Sequence, residues 1–415
     1  MKVEQINMFS SKRLQMNESI ELTIQSISAY CENYDHVAIA WSGGKDSTTL
    51  LTIYVYLLEN GMVPRPKTIS IFYADTRLEL TPLSIAAYSI IDELKEKGYH
   101  VEIVMAEMDK RFMVYMLGRG VPPPNNKTLR WCTQQIKIKP MQDALYGAYW
   151  GLNIGRSCEV FTRLDNPMNK ILMLTGVRQG ESAIRDGRIA MSCSKDGAEC
   201  GQGWYQTSMP EEISDTLAPI LHWRVCHVWE WLKHWAPIEQ YGGWDTKIIA
   251  DAYGGDEAEE INARTGCIGC PLAKKDTALD AIIKMPKWKY LSPLKELRPI
   301  YQWLRLIQNR HRMNGEINKD GNLSANPQRV GPIKLSIRLE ALEMILDIQA
   351  RVNNGAAELK MPFLDIINPQ EEARIRELIE LKQFPNKWTG DEIGGEVQVD
   401  KIYNDGTIWK TLFTD

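Results

Sequence analysis

A chain of 415 residues is long enough for one large domain with an appendage, or for two domains. Hydrophobic residues at 44% and charged residues at 25% are values of a folded globular protein and exclude a disordered or low-complexity chain. The net charge of −4 repels polyanions on average, so a nucleic acid or nucleotide must meet a local basic patch.

The first segment, MKVEQINMFSSKR, has no apolar signal core, and no stretch reaches the ~18 to 20 apolar residues of a membrane span. A cytoplasmic protein with no membrane partner is expected. In that reducing compartment the eight cysteines are core residues or reactive or metal-binding thiolates, not disulfides. The thirteen tryptophans are scattered and read as core or interface anchors.

Residues 14–33 predict an amphipathic helix and HVAIAW (36–41) a buried parallel strand. The helical stretch TTLLTIYVYLLENG leads to a strand at KTISIFYAD (67–75), and residues 82–106 supply a further helix and strand. Such alternation implies an α/β fold with a doubly wound parallel sheet, which KILMLTGV (170–177) should join. Ligands of such sheets lie at the carboxyl ends of the strands, near the topological switch point. Residues 178–218, rich in Gly, Ser, Asp and Cys, read as a long functional loop, 219–250 as a tryptophan-rich helical stretch, and 256–276 as a second cysteine-bearing segment. From 277 the chain is expected to be mostly helical with a short β end. Its helices fall at 335–353 and 368–383, where NPQE offers an N-cap with proline at the first helical position. The expected division is 1–276 and 277–415.

Between the first strand and its helix stands Ser42-Gly43-Gly44-Lys45-Asp46-Ser47. The two glycines let the backbone approach an anion, the helix N-terminus presents N–H groups, Ser42 and Ser47 add hydroxyls, and Lys45 adds charge. The string lacks the four-residue spacing of a Walker A loop. Asp46 suits either a divalent ion or the helix dipole. At the ends of two later strands lie Asp75 and Thr76, then Gly176, Arg178, Arg185 and Arg188, three arginines able to grip phosphate bidentately. The C-x-x-C turn TGCIGCP brings Cys267 and Cys270 to one place, suited to zinc, an iron–sulfur cluster or a redox dithiol. Cys132 lies among basic residues, and Cys193 and Cys200 lie in SCSKDGAEC. Cys31, Cys158 and Cys226 read as core thiols, and the histidines of HWRVCHVWEWLKHW as packing or surface groups.

SGGKDS resembles the PP-loop of the ATP pyrophosphatases, and YADTRLELTPL with LTGVRQGESAIRDGR resembles the phosphoadenosine phosphosulfate (PAPS) reductase branch of that superfamily, adenine nucleotide alpha hydrolase-like in fold. The resemblance implies cleavage of ATP to AMP and pyrophosphate with Mg²⁺. Ser42, Gly43, Gly44, Lys45, Asp46, Ser47, Asp75, Thr76, Gly176 and Arg178 would bind the nucleotide, with Lys45, Asp46, Arg178 and Arg185 in the chemistry. RWCTQQIKIKP is similar to the segment that supplies cluster ligands in cluster-containing reductases. By that resemblance Cys132, Cys267 and Cys270, with Cys193 or Cys200, would hold a [4Fe–4S] cluster; zinc is the alternative.

A reductase of this branch would need a catalytic cysteine near its C-terminus, and the last cysteine is Cys270. The layout instead resembles the DndC/SspD-type sulfurtransferase-like family of bacterial DNA phosphorothioation. That resemblance implies DNA, a cysteine desulfurase and other phosphorothioation subunits as partners. Consistent with a polyanion, residues 284–312 carry Lys284, Lys287, Lys289, Lys295, Arg298, Arg305, Arg310 and Arg312, interleaved with Trp288, Tyr290, Tyr301 and Trp303 and opposed only by Glu296. A solvated helix face with buried aromatics explains the same pattern. Rival functions are a PAPS or adenylylsulfate reductase-like enzyme acting on a small molecule, a thiolase for RNA bases, and a non-catalytic assembly subunit that binds ATP and zinc.

Overall fold

The computed structural model describes residues 14–126, 129–150, 170–179, 213–255, 266–312, 330–386, 388–397, 401–402 and 407–409. Five parallel strands form the central sheet: β1 (His36–Trp41), β2 (Thr68–Ala74), β3 (Val101–Val104), β4 (Ile171–Leu174) and β5 (Ser214–Leu217), in the spatial order β3-β2-β1-β4-β5. His36 pairs with Thr68 and Trp41 with Tyr73 on one side of β1, and Val37 pairs with Leu172 on the other. The order reverses between β1 and β4, which makes the gap beyond their carboxyl ends the switch point.

Alternation along each strand sends side chains to opposite faces. Val37, Ile39, Ile71, Leu172 and Leu174 join a large core with helices α2 (Lys45–Glu59) and α3 (Thr81–Glu96). Ala38, Phe72 and Met173 face the other way, onto Met141, Ala144, Leu145 and Ala148 of α4 (Lys139–Trp150). Helices on both faces explain why the strands read as near-continuous apolar runs. The first predicted helix is α1 (Met16–Cys31), which buries Ile20, Ile27 and Cys31. Burial pushes the Cys31 thiol up to about 12, as befits a core cysteine.

Several expectations change in detail. The tryptophan-rich stretch is not one helix. A short α5 (Val225–Glu230) runs into a wider turn at Trp231–Trp235, then into 3₁₀ turns at Glu239–Tyr241 and Lys247–Tyr253. Gly242 and Gly243, both at positive φ, break the path, and Trp223, Trp229, Trp231 and Trp244 are buried around it. Strand β5 lies inside the segment read as a long loop; much of that loop, with Arg185, Arg188, Cys193 and Cys200, lies outside the described residues, as does Cys158.

Beyond Asp276, whose carboxylate accepts from the Leu279 amide and caps α6 (Thr277–Ile282), a 3₁₀ run at Pro286–Glu296 leads into α7 (Leu297–Leu304). An antiparallel pair that the sequence did not signal follows, β6 (Arg310–Arg312) with β7 (Val330–Ile333). The expected helices are present as α8 (Leu335–Glu358) and α9 (Pro369–Glu380). The N-cap is as predicted: Asn368 accepts from the Glu371 amide at 2.8 Å, and Glu371 accepts from the Asn368 amide at 3.2 Å. The short β end is a pair of two-residue strands, β8 (Lys401–Ile402) and β9 (Ile408–Trp409). Leu342, Ile345, Ile375 and Leu378 belong to the same core cluster as β1 and α2.

Candidate nucleotide site

The glycine-serine turn bridges β1 and α2 at the switch point. Gly43 takes φ +71°, a left-handed conformation that favours glycine, and a Cβ there would press to 3.4 Å from the Tyr73 ring. Gly44 is the N-cap of α2, extended at φ −76° and ψ 162°. Trp41 Nε1 donates to Thr48 Oγ1 at 2.9 Å and ties the strand's end to the helix's first turn. Ser42 and Ser47 close the turn: their hydroxyls lie 3.1 Å apart, the Ser42 amide donates to Ser47 Oγ, and Ser47 Oγ donates to the Gly44 carbonyl.

Two cations converge on Asp46. Lys45 Nζ lies 2.7 Å from Oδ2, and Arg178 Nε, delivered from the end of β4, lies 2.5 Å from Oδ1. Arg178 is buried, at 4% exposure, so this pair is screened far less than a surface pair. The sequence's two readings of Asp46 are therefore joined by a third: it holds the site's two positive groups together while standing in the first turn of α2. Gly176 makes the approach possible, since a Cβ on it would fall 2.7 Å from the backbone carbonyl of Asp46 and from Cα of Ser47. The two halves of the switch point thus touch backbone to backbone.

Sequence reasoning missed Tyr253. The Lys45 amide donates to its hydroxyl at 3.3 Å, and Lys45 Nζ stands 5.1 Å from its ring centroid. A tyrosine ahead of a Gly-Gly pair carries no motif; only the fold brings it 208 residues along the chain to the turn.

At the end of β2, Asp75 is buried and oriented. It accepts from the Arg77 amide and from the Tyr88 hydroxyl, both at 2.8 Å. Thr76 leans away from it, giving both its amide and its hydroxyl to Glu79. Desolvation raises the Glu79 pKa despite opposing help from Lys137, 3.9 Å away, and from the Thr76 hydrogen bond. Glu79 and Lys137 were not singled out in the sequence; they link the nucleotide side of the sheet to the cysteines.

The C-x-x-C turn sits against this segment, with the Ile268 amide donating to the Leu78 carbonyl at 2.7 Å. Gly269 adopts φ +61°, and a Cβ there would strike Leu297 at 2.8 Å, so the turn is packed on α7. Burial pushes the Cys267 thiol up to about 11, with the charges of Cys270 and Cys132 adding to it. Cys132, Cys267 and Cys270 therefore share one electrostatic neighbourhood and are all partly exposed. Among the described residues no group of three or more His, Cys, Asp or Glu side chains is arranged to hold a metal ion. The donor set is chemically apt, three partly exposed thiols that a cation would deprotonate, and both candidates for a fourth lie outside the described residues.

In the basic segment two of the four interleaved aromatics, Tyr290 and Trp303, are half-buried. Trp288 and Tyr301 are fully buried, with Trp288 Nε1 donating to Asp251, so neither offers a face to a base. The acids lacking in the linear sequence arrive from elsewhere: Asp251 meets Lys287 at 2.7 Å and Asp280 meets Lys295 at 2.6 Å. Arg298, Arg305, Arg310 and Arg312 donate to backbone carbonyls.

No helix among the described residues is long and apolar enough to cross a membrane. Residues 36–237 match the family model described as "Phosphoadenosine phosphosulfate reductase domain". No curated protein matches the chain significantly. The family match spans the phosphate turn, Asp75, Cys132 and Arg178, and ends before Tyr253 and the C-x-x-C turn. It supports a PAPS reductase-like family, and with it a nucleotide-using enzyme of the PP-loop type.

Proposed function

We propose that this protein is an ATP pyrophosphatase that activates a DNA backbone phosphate for replacement of a non-bridging oxygen by sulfur. The observation that carries the reading is the convergence of Lys45 and Arg178 on Asp46 at the switch point, beside the glycine-serine turn Ser42–Ser47. Such an arrangement keeps two cations ready in a partly dry site, to be drawn toward a polyphosphate when one enters.

In this reading the loop amides, Ser42, Ser47 and Lys45 hold the β- and γ-phosphates, and Arg178 stabilises charge at the α-phosphorus. A phosphodiester oxygen attacks that phosphorus, the bond to the bridging oxygen breaks, and pyrophosphate leaves. The adenylated diester is then attacked at its own phosphorus by sulfur at the sulfide level, supplied by a desulfurase-derived persulfide with a thiol reductant, and AMP departs with the original oxygen. Activation is required because an oxyanion is a poor leaving group and AMP a better one. Asp46 is the side chain that would hold Mg²⁺, which uses one or two carboxylates together with phosphate oxygens. Cys132, Cys267 and Cys270 would hold an iron–sulfur cluster, which would supply a sulfur-binding or substrate-orienting centre.

The family match favours a second reading, a PAPS reductase-like enzyme that adenylates or reduces a small oxyanion, and the burial of Trp288 and Tyr301 weakens one support for DNA. One experiment separates them. Anaerobically purified protein is assayed for AMP and pyrophosphate with and without DNA, alongside absorbance near 400 nm and iron and sulfide analysis. DNA-stimulated AMP formation, lost in Lys45→Ala, sustains the proposal. AMP formation indifferent to DNA turns it to a small-molecule acceptor, sulfite formation with weak DNA binding, measured on the same protein, turns it to the reductase reading, and ATP binding without AMP or sulfite rejects both.

A further inference from the structure

A shallow cleft, open to solvent, lies at the carboxyl ends of β2 and β3 and is lined by Asp75, Thr76, Arg77, Met105, Ala106, Arg111 and Ile136. We propose that Arg77 makes this cleft a second oxyanion site, separate from the phosphate turn, that seats the acceptor's phosphodiester, and that Asp365 is the counter-ion the acceptor displaces. The inference rests on the pyrophosphatase reading for the identity of the acceptor, but not for the existence of the site.

Arg77 is held in a conformation that its side chain disfavours. Its φ is +62°, a left-handed conformation that a non-glycine residue keeps only where its surroundings fix it. Here they do: the Arg77 amide is bound by Asp75, and the residues on either side, Thr76 and Leu78, give their amides to Glu79. A glycine would serve the turn better. The arginine therefore calls for a reason outside the backbone.

Its side chain supplies one. Arg77 Nε is buried without a hydrogen-bond partner; Asp75 stands 3.9 Å from Nε and Asp365 3.7 Å from Nη1, both beyond hydrogen-bonding distance. The guanidinium fork is neutralised but not engaged, which leaves it able to grip an oxyanion in two-pronged fashion. Arg111, the cleft's other guanidinium, is already committed: Nη1 binds buried Glu371 at 2.9 Å and Nε binds the Ala106 carbonyl. The two acids beside Arg77 also differ. Asp75 is buried and fixed by Tyr88, whereas Asp365 is half exposed, so Asp365 is the one that can yield.

Position gives the site its acceptor. On one side Tyr73 packs against Gly43 of the phosphate turn and against Tyr88, which holds Asp75. On the other, Leu78 carries the hydrogen bond to the C-x-x-C turn. An acceptor that must meet ATP first and sulfur second belongs between these two.

The test uses the full chain with a non-hydrolysable ATP analogue filling the phosphate turn, and reads ³¹P line broadening of dimethyl phosphate, the smallest phosphodiester. Wild type should broaden the line, Arg77→Gly should weaken binding at least fivefold, and Asp365→Asn should tighten it several-fold. Thermal midpoint and affinity for the ATP analogue should hold in both variants, because glycine relieves the backbone at position 77. Lys45→Ala should lose the analogue and keep dimethyl phosphate, so failure of the pyrophosphatase reading is seen separately. Absence of binding to wild type, equal binding to Arg77→Gly, or loss of the ATP analogue in that variant overturns the site. Preference for inorganic sulfate over dimethyl phosphate overturns the diester assignment.

Discussion

Two groups of cations in this molecule look alike in sequence and behave differently in the fold. Lys45 and Arg178 come from the ends of two strands and meet on a single carboxylate at the mouth of a glycine-rich turn. The arginines at 298, 305, 310 and 312 come from one continuous stretch, and their donors end on backbone carbonyls. Under the proposed function the first arrangement would be reversible, with an incoming phosphate replacing Asp46 as the counter-charge. The second is architectural, because withdrawing a guanidinium would leave carbonyls without donors. A run of basic residues is thus weak grounds for a polyanion surface until one knows where its acids and acceptors are.

The sharpest way to break this comparison is to remove one cation from each group. Lys45→Ala should lower AMP formation by about 10² to 10³-fold while leaving the thermal midpoint near wild type, since the lost donor acts on developing charge and not on packing. A fall in stability matching the fall in rate would place Lys45 with the architectural group. Arg338, outside the stretch 298–312, shows the same carbonyl-bound arrangement at its most buried. It is fully buried in α8, donates to the carbonyls of Gly118, Ile333 and Gln383, and lies 4.1 Å from the Phe384 ring centroid. Desolvation pulls its pKa down to about 9, so it remains charged at neutral pH. Arg338→Ala should cost about 3 kcal/mol in urea unfolding, from a cavity and three orphaned carbonyls, with ATP turnover per folded molecule unchanged. A drop in turnover at full stability would instead make Arg338 part of the site.

Gly176 sharpens the comparison from the backbone side. Gly176→Ala should place a methyl against the Asp46 carbonyl and push the phosphate turn off Arg178. Overpacking of this kind costs about 1–3 kcal/mol, and ATP affinity should fall with it. Unchanged ATP affinity would show that contact between the two halves of the switch point is dispensable.

What the sequence revealed follows the range of the interactions. Strands, helices and the phosphate turn are local patterns, and β1, β2, β3 and β4 all lie within the stretches read as strands. Asn368 and Pro369 marked a helix start that the structure reproduces to the residue. The pairing of Asp46 with Arg178 spans 132 residues, and neither side carries a signal for the other. Tyr253, Arg77 and Glu79 were invisible for the same reason: their roles depend on a turn, a left-handed φ and a neighbouring loop, not on residue type. The acids that pair with Lys287 and Lys295, Asp251 and Asp280, lie upstream of residues 284–312, so the local charge pattern does not show them.

Lys287 offers the smallest effect and the finest discrimination. It is more than half exposed, pairs with Asp251 at 2.7 Å, and stands 5.6 Å from the Trp288 ring centroid. An exposed pair of this kind contributes about 0.5 kcal/mol or less, so Lys287→Met should scarcely move the urea midpoint. If the segment is architectural, DNA affinity and its dependence on salt should also be unchanged, because a lysine already neutralised by Asp251 releases no counterion on binding. A phosphate-contacting lysine behaves differently: its loss weakens binding to all sequences alike and lowers the slope of log affinity against log salt by about 1. Titrations of single-stranded and duplex oligonucleotides at several salt concentrations, wild type against Lys287→Met, measure that slope directly. A drop of one unit would return residues 284–312 to the nucleic-acid surface despite the burial of Trp288 and Tyr301, and would show that Asp251 yields to DNA as Asp46 is proposed to yield to ATP.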